Sequence, residues 1–332
     1  MVHARCVRSH LSAGATVTEP APSPALWAVL LTFDRPDDLA RHLEILRAQV
    51  EGPDHLVVVD NGDGTRAAEL ADRHRAAGHK VTLIVTGDNL GPAGGWDRGI
   101  DHVLEVASDR DWVMLLDDND PPRLDTAIRD VMCTAHEQHR ADPSVAGVGI
   151  VGARFDRSTG VIRRLADDEL TGAVEVDMFG GNALPTYLVA ALREVGGLRA
   201  DLFFGFEDLD IGLRLRRAGY RIVVDGRSME AERRHAGNLG KPSMRRTSVG
   251  DHSPWRRYYT VRNMISISRD LGHTSAAMRI TLRSGVAGPL FLVLRRAPMA
   301  TAVLRMSLKG SWDGWRGRSG RTVEPARSGL AR

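Results

Sequence analysis

The sequence predicts an α/β protein: a mostly parallel sheet with helices on both faces, followed by a basic helical extension. Three observations predict this class. Apolar runs of strand length alternate with segments of helical period between residues 25 and 145. Three of those runs stop at polar and charged clusters. Beyond residue 240 the charge balance reverses and helical patterning takes over.

Residues 25–33 (ALWAVLLTF) form a compact apolar run that reads as a first buried strand. Residues 36–49 follow, with Leu39, Leu43, Leu46 and Val50 at helical spacing and Asp37 in the first turn, where the helix dipole favours a carboxylate. Residues 55–59 (HLVVV) form a second strand, stopped by Asp60-Asn61-Gly62. A helix over 65–77 ends at Gly78, and 81–85 is a third strand. Residues 97–106 read as helix, 112–116 as strand and 124–139 as helix. After Gly147 the pattern loosens. Residues 148–155 and 161–164 read as antiparallel strands, 209–218 as a helix ended by Gly219, and 221–224 as a strand. Beyond Trp255 the chain reads as helices interrupted at Gly288-Pro289 and Pro298.

Composition bounds the function classes. The chain has 332 residues, enough for one large α/β domain and an appendage. Its two cysteines, Cys6 and Cys133, lie far apart and form neither a disulfide framework nor a zinc spacing, which fits a reducing cytoplasm. Residues 241–332 carry 18 Lys and Arg against 4 Asp and Glu, whereas the rest carries 27 against 38. An acidic body with a basic tail suggests an anionic surface as partner; a basic tail also simply solubilises. Residues 1–24 lack the apolar core of a signal peptide and read as a disordered leader. The apolar run 285–294 is too short to span a bilayer. Flanked by Arg279, Arg283, Arg295 and Arg296, it suits a membrane surface.

In open α/β sheets ligands bind beyond the carboxyl ends of the strands. Here those ends are Thr32-Phe33-Asp34-Arg35, Asp60-Asn61-Gly62 and Asp117-Asp118-Asn119-Asp120, which suggests one cleft. Three carboxylates within four residues repel one another unless a cation neutralises them. After a buried strand they suit Mg²⁺ or Mn²⁺, which prefer oxygen ligands; a solvated acidic loop capping the next helix is the plainer reading. Asn89-Leu90-Gly91-Pro92-Ala93-Gly94-Gly95-Trp96 lacks the spacings of a P-loop or a dinucleotide fingerprint. Its glycines would let backbone approach a ligand, and the helix it opens would offer N–H groups to a phosphate; a tight turn is the plainer reading. Glu207-Asp208 stands at a helix start, as a helix cap or as a general base. His235 becomes a metal ligand only with partners such as Asp118 or Asp120, and Arg35 at a strand end suits a phosphate.

The order of these parts is more specific than any one of them. TFDRPDDL, VVVDNGDG, NLGPAGGWDRG, WVMLLDDND, GGNALP, GFEDLDIGLRLRRAGY, His235 and RRYYTVRN, over about residues 26–270, resemble a family-2 glycosyltransferase of the GT-A (Rossmann-like) fold. The resemblance is greatest to actinobacterial galactofuranosyltransferases and the related rhamnosyltransferases. It implies a catalytic domain over 25–240, with a nucleotide-binding half (25–145) and an acceptor half (146–240), and an extension over 241–332. It implies that Thr32, Asp60 and Asn61 hold base and ribose, and that Arg35, Asn89, Gly91, Gly94 and Gly95 lie near the diphosphate. Asp117, Asp118, Asp120 and His235 would bind Mg²⁺ or Mn²⁺. Asp208, beside Glu207, would be the catalytic base, and Trp96, Gly181 and Asn182 would shape the acceptor side. Relatives often show three consecutive aspartates where this chain has Asn119, so the metal pair is either the first and third positions or Asp118 with Asp120.

The implied reaction is an inverting transfer from UDP-galactofuranose or dTDP-rhamnose to a glycan or polyprenyl-diphosphate-linked acceptor. The implied place is the cytoplasm or the inner face of the plasma membrane. A nucleotidyltransferase is the first alternative, but TFDRPDDL stands where its glycine-rich basic loop would be. A non-catalytic anion-binding protein is the second; aromatic content of 5%, without an aromatic-basic sheet motif, argues against nucleic acid as partner.

Overall fold

The structure, a computed structural model, describes residues 23–180, 183–241 and 253–325. The leader up to residue 22, Cys6 and the Gly181-Asn182 pair lie outside the described residues.

The first half alternates as its sequence indicates. β1 (Leu26–Thr32), α1 (Pro36–Arg47), β2 (His55–Asp60), α2 (Thr65–Ala76), β3 (Val81–Val85), α3 (Gly91–Val106), β4 (Trp112–Asp117) and α4 (Ala127–Ala141) follow one another. β1 pairs in parallel with β2 and β4, and β2 with β3. All seven residues of β1 are buried, as expected of a central strand covered on both faces. Each fully buried aliphatic side chain there contributes roughly 2 kcal/mol.

The second half is less regular. β5 (Val145–Gly149), β6 (Gly152–Asp156), β7 (Val161–Arg164), β8 (Ala173–Val176), β9 (Met178–Phe179), β10 (Thr186–Leu188), α5 (Val189–Val195), α6 (Glu207–Arg217), β11 (Arg221–Asp225) and α7 (Gly226–His235) complete the body. The main sheet has eight strands in the order β3-β2-β1-β4-β10-β5-β11-β8. β10 enters it antiparallel to both neighbours, and β8 closes the edge antiparallel to β11. β7, β6 and β9 form a small antiparallel sheet.

Four expectations change. The run 148–155 is two strands in different sheets, broken between Gly149 and Gly152. The helix expected from residue 97 begins at Gly91, because the glycine run is itself helical. The stretch after β11, to which the sequence pattern assigned no element, is α7, capped by Asp225, whose carboxylate accepts the Ser228 N–H at 2.9 Å. Gly288-Pro289 does not interrupt the C-terminal helix, since Pro289 occupies the first turn of a helix that follows directly on a π turn.

The C-terminal helices are α8 (Pro254–Asp270), α9 (Thr274–Ile280), the π turn (Thr281–Ala287), α10 (Gly288–Leu294) and α11 (Ala300–Arg316). They share a core with the body: Val261, Met264, Ile265, Ile267, Ala276, Ala277 and Ile280 pack with Ala93, Phe155, Leu202, Leu209 and Leu213. α8 carries a fully buried face because the body covers one side and α11 the other.

Candidate active site at the carboxyl ends of the parallel strands

The three charged strand ends meet in one cavity of about 320 Å³. Its wall includes Thr32, Phe33 and Arg35 after β1, Asn61 after β2, Asn89 and Gly91 at the start of α3, and Asp117, Asp118 and Asn119 after β4. Parallel pairing puts these ends side by side: Thr32 is in register with Asp60, and Leu31 with Asp117. Asp60, Gly94 and Gly95 stand behind the wall, and Asp120, Trp96 and His235 lie outside it.

The acidic cluster is divided in its duties. Asp118 is 1% exposed, and both its oxygens are engaged: the Thr32 hydroxyl donates to one at 2.6 Å and Arg35 to the other at 3.1 Å. Asp117 is half-buried on the cavity side. Burial first, then the charge of Asp118 and a hydrogen bond to it, push its carboxyl up to about 7. Two adjoining carboxyls with one guanidinium between them leave negative charge unbalanced. An oxygen donor set of this kind fits a hard divalent cation that takes its remaining ligands from a diphosphate. The described residues contain no group of three or more His, Cys, Asp and Glu side chains arranged to hold a metal by themselves. His235 is the exposed last residue of α7. The Arg123–Glu232 ion pair at 3.6 Å holds α7 against the segment that follows the cluster.

The glycine run does something other than expected. A Cβ on Gly91 (φ +72°) would sit 2.0 Å from the Phe203 carbonyl oxygen, and one on Gly95 would sit 2.3 Å from Leu31 Cδ1. The glycines therefore let α3 approach protein rather than ligand. The first N–H groups of α3 are also engaged: Gly91 donates to Asn89 Oδ1 at 2.8 Å, Ala93 to the Phe203 carbonyl at 3.4 Å, and Pro92 has none. The expected phosphate seat on this helix terminus is thus filled internally. Asn61 is a brace as well, donating to the Gly91 carbonyl at 2.8 Å and accepting from Leu90 at 3.3 Å. Asp60 accepts the Gly62 N–H at 2.8 Å, and burial raises its pKa. Trp96 turns towards the sheet, its indole N–H donating to the Leu116 carbonyl at 3.0 Å, and so supports the strand that carries Asp117.

Phe203, Phe204, Trp255, Arg256 and Pro325 close the cavity from the other side. Sequence reasoning assigned none of them. The RRYYTVRN segment offered a signal, since it packs arginines and tyrosines into one helix; Pro325 offered none. The guanidinium of Arg256 lies 5.4 Å from the Phe204 ring centroid and 5.3 Å from that of Trp255.

The Phe203–Phe206 loop is held under strain. Phe203 (φ +60°, ψ −56°) and Phe206 (φ +70°, ψ +13°) both have positive φ, Phe206 in the left-handed conformation, which costs about 1–3 kcal/mol for such a residue. Asn263, fully buried, restrains the loop by donating to the carbonyls of Leu202 (3.0 Å), Phe204 (3.0 Å) and Gly205 (2.9 Å). Its neighbour Arg262 donates to the Leu202 carbonyl at 2.7 Å and to the Gly320 carbonyl at 2.6 Å. The segment after Gly320 returns to the donor half, where Arg321 reaches Asp88 at 3.1 Å and the Asn89 carbonyl at 3.2 Å.

Glu207 and Asp208 follow this loop at the start of α6, and neither is among the residues that line the cavity. Phe206, not Asp208, is the N-cap residue, and Asp208 Oδ1 accepts the Leu209 N–H at 2.8 Å. Glu207 Oε2 is buried with no hydrogen-bond partner among the described residues. Burial, and for Asp208 also the charge of Glu207, push both carboxyls up, to about 7 for Glu207 and about 8 for Asp208. Asp210, two residues on, is also raised by burial but differs in its partners. It is 1% exposed but paired with Arg214 at 2.6 Å and Arg199 at 3.5 Å. The same segment thus holds a charge-compensated structural carboxylate and an uncompensated pair suited to taking a proton near neutral pH.

Residues 27–159 match Glycosyl transferase family 2. The chain is 28% identical over 302 residues to galactofuranosyltransferase GlfT1 of Mycobacterium tuberculosis, covering 87% of this chain and 92% of that protein. It is 29% identical over 208 residues to galactofuranosyltransferase GlfT1 of Mycolicibacterium smegmatis, covering 58% and 65%. Among solved structures it is similar to mannosyltransferase PcManGT from Pyrobaculum calidifontis, in complex with GDP-Man and Mn²⁺. That likeness has a TM-score of 0.51, with 14% identity over 90% of this chain and 89% of that one. The arrangement is the GT-A fold.

Proposed function

We infer that this chain, which carries a glycosyl transferase family 2 domain on a GT-A fold, moves a sugar from a nucleoside diphosphate to an acceptor hydroxyl with inversion. One observation carries the reading: the ends of β1, β2 and β4 and the loop before Glu207-Asp208 all border one cavity. The names of the curated relatives favour galactofuranose, hence UDP-galactofuranose as donor, with dTDP-rhamnose second.

Thr32 and Asn61, with Asp60 behind them, would border the nucleoside, and Arg35, Asn89 and Gly91 the diphosphate. Asp117, backed by Asp118 and with Asn119 or Asp120 beside it, would hold Mg²⁺ or Mn²⁺. Bound there, the cation would supply Lewis-acid stabilisation of the departing nucleoside diphosphate. His235, at the exposed end of α7, would add a ligand from that helix. Asp208 takes the proton from the acceptor hydroxyl as that oxygen bonds to the anomeric carbon and the carbon–phosphate oxygen bond breaks. Glu207 keeps Asp208 basic through its charge. Gly181 and Asn182 would shape the acceptor side, and Trp96 would support it through β4. The acceptor is a glycan or a polyprenyl-diphosphate-linked glycan met at the inner face of the plasma membrane, with the C-terminal extension in peripheral contact.

The test is a donor screen with purified protein, reading nucleoside diphosphate release with and without Mg²⁺ or Mn²⁺ and identifying products on lipid-linked acceptors by mass spectrometry. Metal-dependent UDP release with UDP-galactofuranose and a matching mass increment support the reading. Absence of release across all nucleotide sugars would overturn it.

A further inference from the structure

The helical stretch Thr274–Leu294 is turned inside out relative to an ordinary surface helix. Its cations face the protein: Arg279 donates to the Ser158 carbonyl and Arg283 to the Gly160 carbonyl, each at 3.1 Å. Ala276, Ala277 and Ile280 are buried in the shared core. The outer face carries Met278, Leu282, Val286, Leu290 and Leu294, all exposed, with Leu282 at 67% and Leu294 at 75%. These five stand at every fourth residue.

The π turn keeps that ladder on one side. Each four-residue step advances roughly 40° around an α-helix, so four steps would wind the row well off a single face. In a π turn the hydrogen bonds run five residues apart and a four-residue step falls short of a full turn. Thr281–Ala287, in the middle of the row, therefore winds it back. Gly285 sits in the same turn on the opposite side, where a Cβ would lie 2.2 Å from Ser311 Oγ, so the turn also seats the helix on α11.

The charge around the ladder identifies what covers it. Between Leu271 and Trp312 there are six cationic residues and no Asp or Glu. Arg295 and Arg296 are exposed at the end of the ladder, with Arg295 over the exposed ring of Phe291 at 4.8 Å. On α11, which packs along α10 and the π turn, Leu308 and Trp312 are exposed between Arg305 and Arg316, and Arg316 lies over the Trp312 ring at 4.2 Å. A two-fold dimer through this face would set cation against cation, because such an interface meets itself. A helix crossing the bilayer would have to give up the core contacts of Ala276, Ala277 and Ile280 and the Arg279 and Arg283 bonds, although Thr274–Leu294 is long and apolar enough to cross.

We propose that the Met278–Leu294 ladder, with Phe291 and the adjoining Arg295-Arg296, lies in the interface of an anionic lipid bilayer and docks the folded enzyme there without spanning. Apolar side chains enter the acyl boundary while the arginines meet lipid phosphates. The inference deepens the membrane contact proposed above and does not depend on the transfer reaction.

The test uses the full chain and sedimentation with vesicles of phosphatidylglycerol and phosphatidylcholine, against vesicles of phosphatidylcholine alone. The expected result is binding to the anionic vesicles at least tenfold tighter than to the neutral ones, weakening with salt. Leu282→Glu/Leu290→Glu/Leu294→Glu lowers it at least tenfold more, with an unchanged melting temperature because all three positions are exposed. Arg295→Glu/Arg296→Glu lowers binding and flattens its salt dependence. Equal partitioning of the ladder variant and the parent overturns the proposal. So does a parent that ignores both vesicles and forms a dimer that the ladder variant dissolves. Release of nucleoside diphosphate in solution, measured on the same variants, reports separately on the transfer reading.

Discussion

Replacing Asp208 with Asn should make the protein more stable and nearly inactive, and the two effects have one cause. In the fold the carboxyl is pushed up to about 8 by burial and by Glu207, whereas in the unfolded chain it ionises near 4. Between those values the folded state binds the proton and the unfolded state does not, so stability falls as pH rises through that window. At pH 7 the full shift would cost about 4 kcal/mol. The side chain is only partly enclosed, and solvent screening reduces that to roughly 2 kcal/mol. Asn carries no such cost, and its amide oxygen can still accept the Leu209 N–H that Asp208 accepts at 2.8 Å. The variant should melt a few degrees higher at pH 7–8, and the gain should vanish below about pH 4. Turnover should fall by about 10²–10⁴ with loss of the base, and the parent's kcat/KM should rise with pH as the Glu207-Asp208 pair loses its proton near neutrality. The assays are nucleoside diphosphate release and thermal melting of both proteins from pH 4 to 9. A variant that keeps near-normal turnover refutes the base. One that loses activity and stability together, by the same amount at every pH, shows a structural carboxylate instead.

Three further expectations follow from the site. Asp118→Ala strips the partners from the Thr32 hydroxyl and from Arg35 and should cost about 2–4 kcal/mol of unfolding free energy, whereas Asp117→Asn should leave stability unchanged or higher while lowering metal-dependent turnover at least ~10²-fold; equal melting temperatures for the two would contradict the division between them. Asn263→Asp removes the donor that holds three carbonyls of the Leu202–Gly205 loop and should lower kcat about 10–100-fold while donor binding, read by thermal shift, changes little; unaltered kinetics would show that the loop positions itself. Gly91→Ala forces a Cβ to within 2.0 Å of the Phe203 carbonyl at φ +72° and should lower stability by more than about 2 kcal/mol; a variant melting like the parent would mean that the α3–Phe203 contact is not maintained in solution.

The nucleotide half was legible because one rule generates it. Apolar runs of strand length, separated by 3.6-period segments, fix the order and direction of β1 to β4, and direction alone brings Thr32, Asn61 and Asp117 to one edge. The acceptor half was legible only in part: β7, α6 and β11 stand where the pattern put them, but two strands had no pattern of their own. β10 is three residues long and β9 two, and both are specified by neighbours distant in sequence rather than by their own pattern. The packing of the glycine run was not legible because spacing reveals that a Cβ is absent but not which atom fills the space. Asp208 and Asp210 look alike in sequence; Arg199, nine residues upstream of Asp208, and Arg214 separate them. The basic tail was visible as charge, but not that Arg279 and Arg283 would turn inward, since a helical wheel does not show which face meets the body.

The insertion of β10 bears on how the chain can be made and cut. β4 and β5 are joined in the sheet only through Thr186–Leu188, which leave the ribosome some 70 residues after β4 ends. Until then Trp112, Val113 and Met114 form an open apolar edge, the kind of template on which nascent chains stick to one another. An expression fragment ending near residue 145, the natural place to cut by pattern, would carry that edge permanently. The nucleotide half is therefore not a separable folding unit, and a soluble minimal protein has to extend past β10.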